Sequence, residues 1–380
     1  AFGSDARLVL FAFEQQQLYV DALVYLSYIN GTSVFGLRLT NASVNALIQQ
    51  EYDVQCRANN SESSYRAQIH YWNDGIYYYT FHLRCPKYSA EVNMATAWTF
   101  TFVRRNPMDS RTNSMLNVPI CWFTEQHHSV VLFVKPIDEN IPVHHVRQWI
   151  DYHLFLGIEY FYIYARTDLQ RSALQDYVDK GVIEYVLFPT IPWLSGTKEM
   201  RRSSRKPALM HCLMEHRAAM EWMGAWDIDE YLYLPMMNST NKIYEQTYDT
   251  HGRRSMLYTQ LQQFDNYAAL LLDRFDFFAL PNMTDNTTLR VIERFSFRAP
   301  RSDRQFSKPL VRAVHVEHMG AHAVVMQQYE KTWLATDSSF RINHYQSNLN
   351  NRDRRSLAKL NINMSQLIFD PISPQFIRQM

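Results

Sequence analysis

Apolar and polar residues alternate through the first part of the chain, and the period is two, which predicts strands. Residues 67–71 and 76–83 flank Asn73-Asp74-Gly75, residue types that favour the tight turn of a hairpin, and 98–103 alternates aromatic with polar residues. Runs at 8–13 and 34–39 fit further strands. Together they predict a small all-β sandwich over residues 1–105. Residues 106–124 then turn polar around Asn106-Pro107, Asp109-Ser110 and Asn113-Ser114, and read as a linker.

From residue 125 to 380 strands alternate with helices. Residues 130–134 are a fully apolar strand. Pro142 stands where a helix starts, Val146, Trp149, Ile150 and His153 follow at helical spacing, and Gly157 ends the run. A second strand is expected at 160–164, a second helix at 169–179 closed by Gly181, and a third strand at 183–188. This order predicts an α/β domain whose parallel strands are joined by right-handed crossovers. A helix over 203–220, with Leu209, Cys212, Leu213 and Met220 on one face, leads into a short apolar strand at 223–226. Asp227 and Asp229 follow at once, at the carboxyl edge where open α/β sheets bind ligands. Alternate residues there can turn toward one cleft and share a divalent cation, which suits a metal-bridged diphosphate. A D-x-D alone also describes a solvated acidic turn. Farther on, 271–280 reads as hairpin-like.

Composition narrows the classes. A formal net charge of +1 argues against a nucleic-acid partner, which demands a basic surplus. The 24 Tyr, 22 Phe and 8 Trp serve cores first and also stack on sugar faces. Trp72, Tyr77, Tyr79 and Trp98 form the candidate glycan platform, although half of such an alternating set should be core. No apolar run approaches the ~20 residues that cross a bilayer, and no signal peptide is visible. A chain beginning Ala-Phe-Gly reads as a processed or trimmed portion of something longer.

Asn-x-Ser/Thr acceptors at Asn30, Asn41, Asn59, Asn238, Asn282, Asn286 and Asn363 suit a secretory protein. The 4 cysteines allow three complete pairings. Cys56 and Cys85 bracket the hairpin and are the preferred bond; Cys212 reads as a buried thiol, with a bond to Cys121 left open. Neither a G-x-G-x-x-G fingerprint, a P-loop nor a Gly-x-Ser-x-Gly elbow is present, so a bound nucleotide would be held through a metal and not through a glycine cradle.

The run from Val143 to Tyr164, the stretch Ala208-Leu209-Met210-His211-Cys212 leading through Glu221-Trp222 to Trp226-Asp227-Ile228-Asp229-Glu230, then Val291-Ile292-Glu293-Arg294-Phe295 with Lys308, and Ile342-Asn343-His344-Tyr345, resemble in order and spacing the landmarks of glycosyltransferase family 92. The resemblance spans residues 127–350. It implies a GT-A fold, Rossmann-like with a mostly parallel sheet, and an inverting transfer from a UDP-sugar, usually UDP-galactose, with Mn²⁺, in the Golgi lumen. The full-length form would then be a type II membrane protein with an N-terminal anchor outside this chain. The β-rich front half resembles the carbohydrate-binding-module-like domain of the plant β-1,4-galactan synthases of that family.

On this resemblance Asp227 and Asp229 are expected to hold the cation against the donor diphosphate, with His344 as an imidazole ligand and His318 and His322 as weaker candidates. Lys308, Arg205 and Lys206 are the candidate diphosphate cations, against the commoner reading of exposed lysine and arginine. Glu293 is the candidate general base; Glu317, Glu230 and Asp276 stay open, as does a purely ion-paired Glu293. Arg352, Arg354, Arg355 and Lys359 read as a solvated helix face. The acceptor is a glycan or polysaccharide, and homodimerisation is left open. A catalytically inactive, lectin-like glycan binder on the same fold is the alternative, and glycoside hydrolysis a third reading.

Overall fold

The computed structural model describes residues 7–15, 19–27, 52–73, 78–86, 97–104, 114–121, 127–137, 141–188, 205–234, 256–279, 290–326, 332–335, 340–345 and 364–371. The strand expected at 34–39, and the sequons other than Asn59, lie outside these. Asn59 is exposed at a turn, as a glycan acceptor requires. Two compact units emerge: Ala1–Glu125 with Pro189–His216, and Gln126–Phe188 with Arg217–Met380.

The first unit carries strands β1 (Arg7–Gln15), β2 (Tyr19–Ser27), β3 (Tyr52–Ala58), β4 (Tyr65–Arg66), β5 (Gln68–Asn73), β6 (Tyr78–Pro86), β7 (Ala97–Arg104) and β8 (Ser114–Cys121). They join in one 8-stranded sheet of order β4-β3-β7-β8-β1-β2-β6-β5, where the alternation had suggested two facing sheets. Alternation marks a face, and cannot say whether strands continue one sheet or form another. In β3 the inward set is Val54, Cys56 and Ala58, and Gln55 and Arg57 point to solvent. Cys56 is bonded to Cys85, and Cys212 is buried as a thiol.

The linker reading of 106–124 is corrected by β8, which pairs antiparallel with β7 and parallel with β1. Leu116, Val118 and Ile120 alternate there, a strand signal masked by the polar residues before it. The helix expected over 203–220 is also shorter: α3, introduced with its neighbours below, ends at His216, a 3-10 turn covers Arg217–Ala219, and Met220 already belongs to a strand.

In the second unit the strands are β9 (His128–Ile137), β10 (Tyr160–Ala165), β11 (Ile183–Leu187), β12 (Met220–Trp226), β13 (Glu230–Tyr233), β14 (Ala269–Ala279), β15 (Phe295–Arg298), β16 (Lys308–Arg312), β17 (Val316–Met319), β18 (Val324–Met326), β19 (Thr332–Ala335), β20 (Arg341–Tyr345) and β21 (Ile368–Phe369). The helices of the chain, in order, are α1 (Val143–Leu156), α2 (Gln175–Asp179), α3 (Arg205–His216), α4 (Met256–Leu261) and α5 (Val291–Arg294). Of these α3 falls in the first unit, where it lies against β1 and β2. Among the described residues no helix is long and apolar enough to cross a membrane.

β11, β10, β9 and β12 run parallel in that order; β10, β9 and β12 are buried on both faces, and β11, at the sheet edge, leaves Leu187 exposed. β16 then pairs antiparallel with β12, and β14 antiparallel with β16, so the 11-stranded sheet is mixed and not mostly parallel. The stretch read as a hairpin at 271–280 is the single strand β14, which pairs with β15, β16, β19 and β20 along its length. A strand with partners on both sides needs no polar break, and none occurs within it except Asp273, Arg274 and Asp276.

α1 starts after Pro142 and ends at Gly157, which takes φ 99°, a left-handed conformation a Cβ would oppose. The amides of Gly157 and Ile158 close the last turn on Leu154 and His153. Val146, Trp149, Ile150 and His153, the stripe read from the sequence, are buried, and Tyr152 and Leu156 are buried with them. The second expected helix is only α2, after a 3-10 turn at Ser172–Leu174.

Candidate active site

β12 delivers the chain to Trp226, and the acidic pair lies in the turn that follows, not on the strand itself. The Glu230 amide donates to the Asp227 carbonyl at 2.9 Å, closing the turn, and the Glu230 carboxylate accepts the Asp227 amide at 2.9 Å. Glu230 thus binds the turn from both its main chain and its side chain. β13 begins at Glu230 and pairs with β20 on one side. Its other side is covered by α1: Trp149 Nε1 donates to the Glu230 carbonyl at 2.7 Å, Tyr152 donates to Leu232 O at 2.6 Å, and His153 Nε2 accepts the Leu232 amide at 3.3 Å. The apolar stripe of α1 therefore also carries the polar groups that hold the acidic turn in place.

The register of β20 brings distant residues into one row. His344 stands opposite Glu230 on β13 and opposite Asp276 on β14. His344 Nδ1 lies 2.7 Å from Asp276 Oδ1, and its Nε2 lies 3.4 Å from Asp229 Oδ2. Burial alone would depress the imidazole, but Asp229 and Asp276 outweigh it and raise its pKa to about 10. Burial likewise works against the Asp229 carboxylate, and His344 reverses this and holds it below its ordinary value.

Lys308 is 2 % exposed and sits 2.8 Å from Glu230, itself 1 % exposed, and 3.9 Å from Asp227. Desolvation disfavours its ammonium, yet Glu230 and Asp227 keep it charged and raise its pKa. Lys135, on β9, meets the other oxygen of Asp227 at 2.5 Å. Arg274 lies 3.4 Å from Asp276, 3.6 Å from Asp303 and 3.9 Å from Glu230, with its guanidinium over the Phe306 ring. Carboxylates and cations alternate through the cluster, which lets many charges be buried together.

Asp227, Asp229, Lys308 and His344, chosen from sequence, are thus brought together. Lys135 and Arg274 were missed; a lysine directly after the apolar run 130–134 and an arginine between Asp273 and Asp276 were the signals available. Glu230 and Asp276, held open as bases, are buried in ion pairs and have no free face for an acceptor hydroxyl. Glu293 is the third residue of α5, where its carboxylate accepts the Arg290 amide at 2.7 Å in a capping box. His322 faces Ser307 O at 3.3 Å and packs edge-on to Phe306. Arg205 stands exposed at the first residue of α3. Trp98 is fully buried, so it is a core ring and cannot stack on a glycan. Tyr77, the side chains of Trp72, Tyr79 and Lys206, and the basic group from Arg352 to Lys359 lie outside the described residues.

The cluster has a chemical counterpart in a sequence family. The family profile described as Glycosyltransferase family 92 matches residues 128–380, which include every residue of the cluster. The chain belongs to glycosyltransferase family 92. Among similar proteins, a glycosyltransferase family 92 protein of Ricinus communis is 27% identical over 92 residues, 24% of this chain and 14% of the relative. A galactan beta-1,4-galactosyltransferase of Arabidopsis thaliana is 23% identical over 252 residues, 61% of this chain and 43% of the relative. The chain thus spans less than half the length of these curated relatives.

The donor set fits a divalent cation. His344 Nε2 and Asp229 Oδ2 are an ion pair 3.4 Å apart, close enough to share one ion once the ring gives up its Nε2 proton, and Asp276 holds the ring by its other nitrogen. Asp227 is engaged by Lys135 and Lys308, and among the described residues no three such groups are already gathered as a complete metal site. Water and donor oxygens would have to complete any shell there. A separate cavity of about 310 Å³, lined by Glu221, Tyr258, Gln262, Asp265, Arg312 and His315, opens at the far end of the β12 and β16 pair. Its Arg312 is bound by Glu221 at 2.6 Å and Asp265 at 2.7 Å.

Proposed function

We propose that this chain is an inverting, Mn²⁺-dependent transferase of GT-A type that moves galactose from UDP-galactose to a β-1,4-galactan-like glycan in the secretory lumen. The observation that carries this reading is the junction of Asp229 and His344, from β12's turn and β20, beside the cations Lys308 and Lys135. A bound divalent cation would neutralise charge growing on the departing diphosphate. Asp229 and His344 would hold it, with Asp227 as the further carboxylate, and Lys308 would keep Glu230, and through it the turn, in register. The acceptor hydroxyl oxygen bonds to the anomeric carbon as the bond from that carbon to the diphosphate oxygen breaks, the electron pair leaving with UDP. Glu293 takes the hydroxyl proton. The galactan acceptor rests on the Arabidopsis relative, a galactan beta-1,4-galactosyltransferase. The front half, residues 1–105, would bind the growing glycan.

UDP release measured across a panel of UDP-sugars, with Mn²⁺ and with excess chelator, tests the reading. Turnover with UDP-galactose that stops on chelation is expected. Glycan binding without any turnover would support the lectin-like alternative, and turnover unaffected by chelator would remove the cation from the mechanism.

A further inference from the structure

Lys135 is the cation that the reaction as described leaves unused. It projects from β9, whose other residues from Val130 to Val134 are all apolar, and ends 2.5 Å from Asp227 Oδ1. Strand β9 neighbours β12 in the sheet, with Val134 opposite Trp226, so Lys135 and Asp227 emerge side by side at the strand ends. Both side chains are about three-quarters shielded, at 23% and 26% exposure. Lys308, by contrast, is shut in at 2% and committed to Glu230 at 2.8 Å. Of the two ammonium groups on Asp227, that of Lys135 has solvent access, and its charge also reaches Asp229, whereas that of Lys308 is closed in against Glu230.

Resting on the function proposed above, we infer that Lys135 is a donor-binding residue that exchanges partners. Without ligand it occupies Asp227 in place of a divalent cation. With the cation and nucleotide present, Asp227 turns to the cation and the Lys135 ammonium takes a diphosphate oxygen. A lysine suits this exchange because its ammonium is a point charge on a flexible stem, with donors free to reorient. The buried charge stays balanced in both arrangements: one ammonium faces one carboxylate before, and diphosphate oxygens after.

The inference makes two affinities move in opposite directions when the ammonium is removed. In Lys135→Met, Mn²⁺ alone should bind the full chain about 5-fold more tightly, because its competitor on Asp227 is gone. UDP binding in saturating Mn²⁺ should weaken about 10-fold, the loss of one charge-assisted contact. Lys135→Arg should keep UDP affinity within about 3-fold of the wild type, since the charge is retained. Mn²⁺ binding is read by electron paramagnetic resonance of free Mn²⁺, UDP binding by calorimetry, and folding by thermal melting. A Lys135→Met protein that melts like the wild type but leaves UDP affinity unchanged, or loses affinity for both ligands, overturns the partner exchange. Wild-type protein that binds neither Mn²⁺ nor UDP overturns the underlying reading together with it.

Discussion

The imidazole of His344 is held by Asp276, Nδ1 to Oδ1 at 2.7 Å, and this leaves Nε2 directed at Asp229. A carboxylate behind a ligating histidine fixes the ring and its tautomer and raises its basicity. Asp276→Asn should therefore weaken Mn²⁺ binding by about 10- to 100-fold while the protein stays folded. A Mn²⁺ titration with unchanged affinity would show that Asp276 only fills space.

Asp229 offers a complementary test. Its carbonyl accepts the Tyr345 amide at 2.7 Å, a main-chain bond that substitution leaves intact, whereas its carboxylate faces His344. Asp229→Asn should remove UDP-galactose turnover and keep the thermal melt cooperative. Near-normal turnover would take this residue out of the site.

Lys308 and Glu230 are a buried pair at 2% and 1% exposure, and removing one partner strands the other charge. Lys308→Met should cost about 3–5 kcal/mol in urea denaturation. Combining it with Glu230→Gln should recover part of that loss, because no charge is then left unpaired. A loss in the double variant equal to the sum of the two single losses would show that they do not act as a pair.

His153 governs part of the acid limb of stability. It is fully buried against Trp149, Tyr152 and Tyr231, with Nδ1 on the Trp149 carbonyl and Nε2 accepting the Leu232 amide, an arrangement only the neutral ring satisfies. Burial pushes its pKa down to about 3, and burial likewise takes His145 to about 4. The unfolded chain, with ordinary histidines, binds protons more readily, so the stability they contribute is complete above about pH 6.5 and drains away toward pH 3. Urea midpoints between pH 7 and 4 should fall, and His153→Gln, which can both donate and accept, should flatten the slope by up to about 1.4 kcal/mol per pH unit. An unchanged slope would mean that this ring does not control it.

Glu293 separates capping from chemistry. Glutamine retains an oxygen for the Arg290 amide, so Glu293→Gln should melt normally while kcat drops ~10²–10⁴ if the carboxylate is the base. Glu293→Ala should lose about 1 kcal/mol of stability as well. Normal kcat in the glutamine variant would reduce the residue to its cap.

What the sequence determined by itself was local. The stripe Val146, Trp149, Ile150, His153 marked α1 because side chains three and four apart share a helix face, and Gly157 and Gly181 marked ends because only glycine accepts the left-handed backbone cheaply. The apolar run at 130–134 and the acidic pair after 226 placed β9 and the turn, and the Cys56 to Cys85 bond followed from the strands it brackets. Pairing was decided only by the tertiary structure. That β8 would join β1 and β7, that β14 would be one long strand among several partners, and that β20 would set His344 between Glu230 and Asp276 depend on which distant edges meet, and a strand's alternation carries its faces but not its neighbours. Lys135 shows the same limit: it went unmarked in the sequence until the sheet set it against Asp227, where a partly buried carboxylate favours a cation beside it.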